Sequence, residues 1–221
     1  MNRFIALALL VALTACASSP TTHKKPTGDK AATEAAKDAL ASGNVSQSVA
    51  MAEKAYKADP KDPEAALNYA TALRMAGRET QAKIVLQEFA DNPKASAAIL
   101  NESVRIALSE GQYKRALATA KNATQLNPDN SDSWNVLGLA YDAVDQLPDA
   151  EASYRKSLAL DPKNRATVLN NLALNLTLQE KLDKALPLIE EALKLEPDRR
   201  EFKRNRAMIR AMHSQVYHTV D

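Results

Sequence analysis

The sequence predicts an all-α protein: a solenoid of about five helix-turn-helix repeats plus a C-terminal capping helix. Periodicity is the first observation behind this. Gly43, Gly77 and Gly111 are 34 residues apart, and so are Ala82, Ala116 and Ala150, and Pro128 and Pro162. A fixed period of that size marks a stacked array, in which each unit is one supersecondary element that buries its apolar face only against its neighbours. Composition is the second. The 221 residues include 41 Ala and 27 Leu but only 5 Gly, and aromatics make up 5%. The best helix formers dominate and strand formers are scarce. Charge balance is the third. A net charge of +2 with 45% hydrophobic and 25% charged residues suits a folded chain and excludes a strongly basic nucleic-acid binder. The single Cys excludes an internal disulfide framework and a multi-Cys zinc site.

The chain opens with an address. Arg3 supplies a positive start, and Phe4 to Leu13 is an apolar run of ten residues, the length of a signal-peptide core and half of what a membrane span needs. Leu13-Thr14-Ala15-Cys16 then resembles a bacterial lipobox. The resemblance implies a lipoprotein signal peptide over 1–15, cleavage after Ala15, and acylation of Cys16 through its sulfur and its new amine. Two or more acyl chains give stable anchoring where one is marginal. Ala17 takes the place of the Asp that in such lipoproteins signals inner-membrane retention, which points to the outer membrane. Residues 16–28 combine the lipidated Cys with a small, polar, Pro-containing tether.

The repeats occupy 29–199, divided as 29–62, 63–96, 97–130, 131–164 and 166–199, with one extra residue at Arg165. The first unit is thin: Ala32, Ala35, Ala36 and Ala39 stand where larger apolar residues belong, and Ser48 takes the recurrent Ala position. Gly43, Gly77 and Gly111 fall at the turn between two helices, where a left-handed residue is favoured; Asp145 and Glu180 replace them in the last two units. Pro60, Pro128, Pro162 and Pro197 end second helices, and Pro93 comes one residue early. Asp183 is expected to N-cap the last second helix, with Pro187 near its first turn. The acidic cluster Asp129, Asn130 and Asp132 is read as helix capping, not calcium binding. The segment 200–221 reads as a capping helix and tail. Phe202, Ile209, Met212 and Val216 form its inward stripe, and Arg199, Arg200, Lys203, Arg204, Arg206 and Arg210 its basic outer face.

The unit 131–164 carries Trp134, Leu137, Gly138, Tyr141, Ala150, Tyr154 and Pro162 at spacings that resemble the tetratricopeptide repeat (TPR) pattern. That resemblance implies a right-handed superhelix whose first helices line a concave groove through repeat positions 2, 5, 6, 9, 12 and 13. Transferred to this chain, it nominates Asn68, Arg74, Asn101, Arg105, Asn135, Asn170 and Asn171 as peptide-groove residues. An amide offers both a donor and an acceptor, so a broken Asn ladder can satisfy an extended peptide backbone. The N-terminal half is mixed in charge, with Glu34 and Glu102 beside Lys37, Arg74 and Arg105, and net basic in character, while Val136, Leu139, Leu174 and Leu178 make the other half more apolar. A partner with an acidic end and an apolar segment suits such a surface.

No catalytic constellation emerges. His23, His213 and His218 have no carboxylate cluster beside them in sequence, the only Cys is assigned to lipid, and five scattered Gly exclude a P-loop and a dinucleotide fingerprint. The chain is read as a non-enzyme with no metal, no cofactor beyond the lipid on Cys16, no nucleic acid and no small-molecule substrate. The stretches GLAYDAVDQLPDAEASYRKSLALDP (138–162) and VLNNLALNLTLQEKLDKALPLIEEAL (168–193), taken with the lipobox, resemble the TadD lipoproteins of Flp (tight-adherence) pilus machines. That likeness implies a periplasm-facing, outer-membrane pilotin whose partners are a secretin or other pilus-assembly components. The alternative is a TPR lipoprotein adaptor for cell-wall (peptidoglycan) enzymes.

Overall fold

A computed structural model describes residues 29–218, the side chains of 216–218 excepted. The lipobox with Cys16, the tether, Val216 and His218 as side chains, and the last residues of the tail lie outside the described residues. Eleven helices and no strand are found among the described residues. They pair as hairpins: α1 (Lys30–Ala41) with α2 (Val45–Ala58), α3 (Pro63–Met75) with α4 (Glu79–Ala90), and α5 (Ala97–Ser109) with α6 (Tyr113–Leu126). The series continues with α7 (Ser131–Asp142) and α8 (Leu147–Ala159), α9 (Arg165–Leu178) and α10 (Leu182–Leu195), and closes on α11 (Arg200–His218). Among the described residues no helix is long and apolar enough to cross a membrane.

Four of the five hairpins start with a side-chain cap, and all five turn by the same local chemistry. The first helices of four units are N-capped by Asp29, Asp62, Ser96 and Asn130, whose side chains accept from backbone amides of the first turn. Asn130 accepts from the Ser133 amide at 2.9 Å, the capping role expected of that cluster, whereas Asp132 pairs with Arg105 of α5. Every turn within a hairpin is closed by one left-handed residue and one long-reach amide. Asn44, Arg78, Gln112, Gln146 and Lys181 donate to the carbonyls of Ala39, Leu73, Ala107, Tyr141 and Leu176 at 2.8 to 3.0 Å. The left-handed position is glycine at Gly43, Gly77 and Gly111, and non-glycine at Asp145 (φ 59°) and Glu180 (φ 59°).

Glu180 is exposed, so its strain has no visible compensation. Glu180→Gly is expected to stabilise the fold by about 0.5–1 kcal/mol: relief of left-handed strain exceeds the added freedom of the unfolded chain. A rise in melting temperature of about 1–4 °C is the corresponding readout, and an unchanged or lower one would refute it.

Packing follows from small residues at fixed positions. Ala82, Ala116, Ala150 and Ala185 are fully buried where the two helices of a hairpin meet. In the first unit Ser48 fills that position and donates to the Ala36 carbonyl at 2.9 Å, so the thin hairpin of alanines closes with its hydroxyl satisfied. The extra residue at Arg165 is absorbed without breaking the stack: α8 stops at Ala159, Asp161 turns left-handed (φ 51°), and Arg165 opens a longer α9.

Three local expectations are corrected. Asp183 does not cap α10; Lys181 occupies the N-cap without a side-chain bond, and Asp183 sits inside the first turn, 2.9 Å from His213 Nε2 of α11. Pro187 lies in the interior of α10, not at its start, so the helix loses an internal amide donor there. Met212 is not part of the buried stripe of the cap. Phe202 and Ile209 are buried, whereas Met212 is 37% exposed.

Candidate protein-binding groove

The stacking order defines an inner wall. α1, α3, α5, α7, α9 and α11 each touch the next in that series, while the even-numbered helices before α11 do not touch one another. A stack that brings the first helices together and splays the second ones apart is concave on the first-helix side. The cap takes part as a half repeat: α11 packs on α9 as α9 packs on α7.

The N-terminal half of this wall is laced by ion pairs between units. Lys37 of α1 reaches Glu64 of α3 at 2.8 Å and Glu34 at 3.1 Å. Those two carboxylates, Glu64 first, hold the Lys37 ammonium above the usual lysine range. Arg74 of α3 grips Glu102 of α5 with two nitrogens, at 2.6 and 3.4 Å. Arg105 of α5 donates to Asp132 of α7 at 2.6 Å, and Asn101 donates to the other oxygen of the same carboxylate at 3.0 Å. The expected net basic character is therefore corrected. Lys37, Arg74 and Arg105 are each matched by a carboxylate of the following unit, so none of these three is left uncompensated for a ligand. Lys37–Glu64 and Arg105–Asp132 are each 27 residues apart, one repeat less two helical turns, and that spacing was visible in the sequence.

The C-terminal half is joined by amides. Asn205 of α11 donates to Asn170 of α9 at 2.8 Å, Asn170 to Asn171 at 3.4 Å, and Asn171 to Asn135 of α7 at 3.1 Å. The side chain at repeat position 5 thus meets position 6 of the next unit. Where only one of the two is an amide, an atom is orphaned. Asn68 follows Thr33 and its buried Nδ2 has no partner; Asn101 precedes Val136 and its buried Oδ1 has none. Sequence reasoning missed Asn205, although it lies 34 residues after Asn171. Of the nominated residues, Asn101, Asn135 and Asn170 are buried between units, while Asn68, Arg74, Arg105 and Asn171 are half-buried. Cys16 lies outside the described residues.

Beneath this wall a polar cluster fixes the angle between the last two full units. The fully buried Tyr154 of α8 donates to Asp142 of α7 at 2.7 Å, and Asn175 of α9 donates to the other Asp142 oxygen at 2.6 Å and to the Leu147 carbonyl at 3.1 Å. Burial pushes the Asp142 carboxyl up against the two hydrogen bonds, and burial with the adjacent carboxylate pushes the Tyr154 phenol well up. Nearby, Glu151 accepts from Arg155, Lys181 and Gln179 at 2.8, 2.9 and 3.1 Å. Burial opposes its ionisation, but these bonds outweigh it and hold the carboxyl at about 2.

Because the Glu151 value lies below its unfolded one, its contribution is complete above about pH 4.5 and is lost as pH falls toward about 2. Glu151→Gln is expected to lower stability by about 1–2 kcal/mol at pH 7, after discounting for half-exposed partners, and to flatten the loss between pH 5 and 3. Urea midpoints at pH 7, 5 and 3 measure it; parallel pH curves for the two proteins would refute it.

Profiles of the tetratricopeptide repeat match residues 33–97, 102–165 and 166–199. Among solved structures, the chain is similar to TTC0263, a thermophilic TPR protein of Thermus thermophilus. That likeness has 20% identity, covers 81% of this chain and 97% of that one, and has a TM-score of 0.75. MamA from Desulfovibrio magneticus is similar at 20% identity over 77% of this chain and 96% of that one, with a TM-score of 0.55. YrrB, described as a TPR protein with an unusual peptide-binding site, is similar at 18% identity over 81% of this chain and 88% of that one, with a TM-score of 0.51. At these identities the likenesses establish the shared fold.

Proposed function

The chain belongs to the tetratricopeptide repeat family, and from that premise we propose that it is a lipid-anchored scaffold of the outer membrane, facing the periplasm. Its role in this reading is pilotin-like: it holds a segment of a Flp/Tad pilus secretin in the concave groove while the acyl chains on Cys16 carry the complex to the membrane. The observation that carries the reading is one order along the chain. Leu13-Thr14-Ala15-Cys16 precedes a short polar tether, which leads directly into a groove built for protein contact. Lipid and groove act together here: the acyl chains give stable attachment, and the tether lets the solenoid stand off the surface.

The test is the distribution of secretin in strains carrying the wild-type chain, Cys16→Ala, or a deletion. Secretin multimers in the outer-membrane fraction are expected only with the wild type. Normal multimers in the deletion strain would reject the pilotin role. Co-recovery of peptidoglycan enzymes without secretin would assign the scaffold to the cell wall instead.

A further inference from the structure

The groove continues onto the cap, where exposed apolar side chains stand beside arginines without ion-pair partners among the described residues. Because Asn205 bonds to Asn170, and α9 and α11 both run antiparallel to α10, the two helices lie parallel with a fixed register. One and two turns beyond Asn170 stand Leu174 and Leu178; one and two turns beyond Asn205 stand Met208 and Met212. Leu178 is 63% exposed, Met208 42% and Met212 37%. Together with the half-buried Leu139 of α7, they make an apolar row along the last three first helices. On the N-terminal half the equivalent places hold Lys37, Thr71 and Arg105, with Met75 as the exposed apolar exception.

The charge distribution points to the same end. Residues 200–218 carry five cations and one carboxylate, Glu201, whereas 29–199 carry 21 cations and 25 carboxylates. Within the cap, Arg206 and Arg210 are both bound to Glu190 of α10. Arg200 and Arg204 have no ion-pair partner among the described residues. Arg204 occupies the position that in most other units is buried by the next unit; among the described residues nothing covers it, and it is exposed one turn before Met208.

Resting on the groove reading above, we infer that the cap half of the groove is the specificity site, and that its occupant is a protein segment with two apolar side chains one or two turns apart and a carboxylate next to them. The apolar pair covers Leu174, Leu178, Met208 and Met212, and the carboxylate meets Arg204 and Arg200. This places the acidic end of the partner at the C-terminal end of the solenoid, opposite to what the unpaired sequence charges suggested. Burial of the apolar row supplies most of the affinity, and the arginines supply orientation and a dependence on salt.

The test is selection of random 12-residue displayed peptides on the immobilised full-length chain, followed by fluorescence-anisotropy titration of the selected peptides. Wild type, Leu178→Asp, Arg204→Glu and Met75→Asp are compared, each checked by circular dichroism; all three positions are exposed. Selected peptides are expected to carry the apolar pair and an Asp or Glu. Their binding should weaken at least tenfold in Leu178→Asp and in Arg204→Glu, and stay within twofold in Met75→Asp. Selection of basic peptides, or binding that ignores Leu178 and Arg204, would overturn this inference while leaving a peptide groove in place. Failure to select any peptide would overturn the groove reading as well. A dimer by light scattering that Leu178→Asp disperses would assign the row to a second copy, and anionic vesicle binding lost in Arg204→Glu would assign it to lipid; either overturns the inference.

Discussion

Gly138→Ala is expected to destabilise the protein by about 2 kcal/mol, although alanine is the better helix former. A Cβ at this position would lie 2.5 Å from Cε1, 2.7 Å from Cδ1 and 2.8 Å from Cζ of Tyr154. These are contacts with the broad side of a ring, and the ring has no room to retreat. It is fully buried and its hydroxyl is held by Asp142. Overpacking of this kind costs about 1–3 kcal/mol, and the gain in helix propensity, about 1 kcal/mol, offsets only part of it. The melting temperature should fall by about 4–8 °C. Tyr154→Leu removes the ring, so Gly138→Ala introduced into that background should be tolerated. A double-mutant cycle with a coupling near zero, or a melting temperature unchanged in the single variant, would remove the steric explanation.

A second large effect is expected at Asp142. Asp142→Ala strips the Tyr154 hydroxyl of its partner in a fully buried place, and an unmet buried donor costs about 1–3 kcal/mol. Asn175 loses one of its two acceptors but keeps the Leu147 carbonyl, so its share is smaller. The total is about 3 kcal/mol, or roughly 6–12 °C in melting temperature. Because Asp142, Tyr154, Asn175 and Leu147 tie α7, α8 and α9 together, the same variant should loosen the stack locally, with faster amide exchange in α9 than in α3. Tyr154→Phe added to Asp142→Ala should recover part of the loss, since the orphaned hydroxyl is then gone. No recovery would show that the penalty comes from elsewhere in the cluster.

What the sequence made legible, and what it hid, divides along one physical line. Gly43, Gly77 and Gly111, the alanines at the same period and the prolines after second helices act within one hairpin. Their effect depends on neighbours a few residues away, and the helices follow them closely. The contents of the groove depend on the next hairpin. Arg105 reads as a free cation until Asp132 is seen to stand one unit later on the same wall. Asn101 and Asn135 look alike in sequence, yet Asn135 finds Asn171 and Asn101 faces a unit whose matching residue is Val136. Asp183 resembles a cap because capping residues are short and polar, but Leu182 already begins α10 and its carboxylate is occupied by a helix 30 residues further on. The cap itself is legible as a helix. Its continuation of the first-helix wall is not, because the spacing of Met212 mimics the buried stripe and Asn205 meets its partner 35 residues away.

The half repeat at the end also bears on how long such a protein can be. Asn205 presents to unit 166–199 the same amide that Asn171 presents to unit 131–164. A copy of 166–199 inserted after 199 would therefore offer its own Asn171 to the existing Asn170, and its own Asn170 to Asn205. The inner wall is in that sense extendable in steps of one hairpin, each added copy meeting its neighbours through the same amide pair.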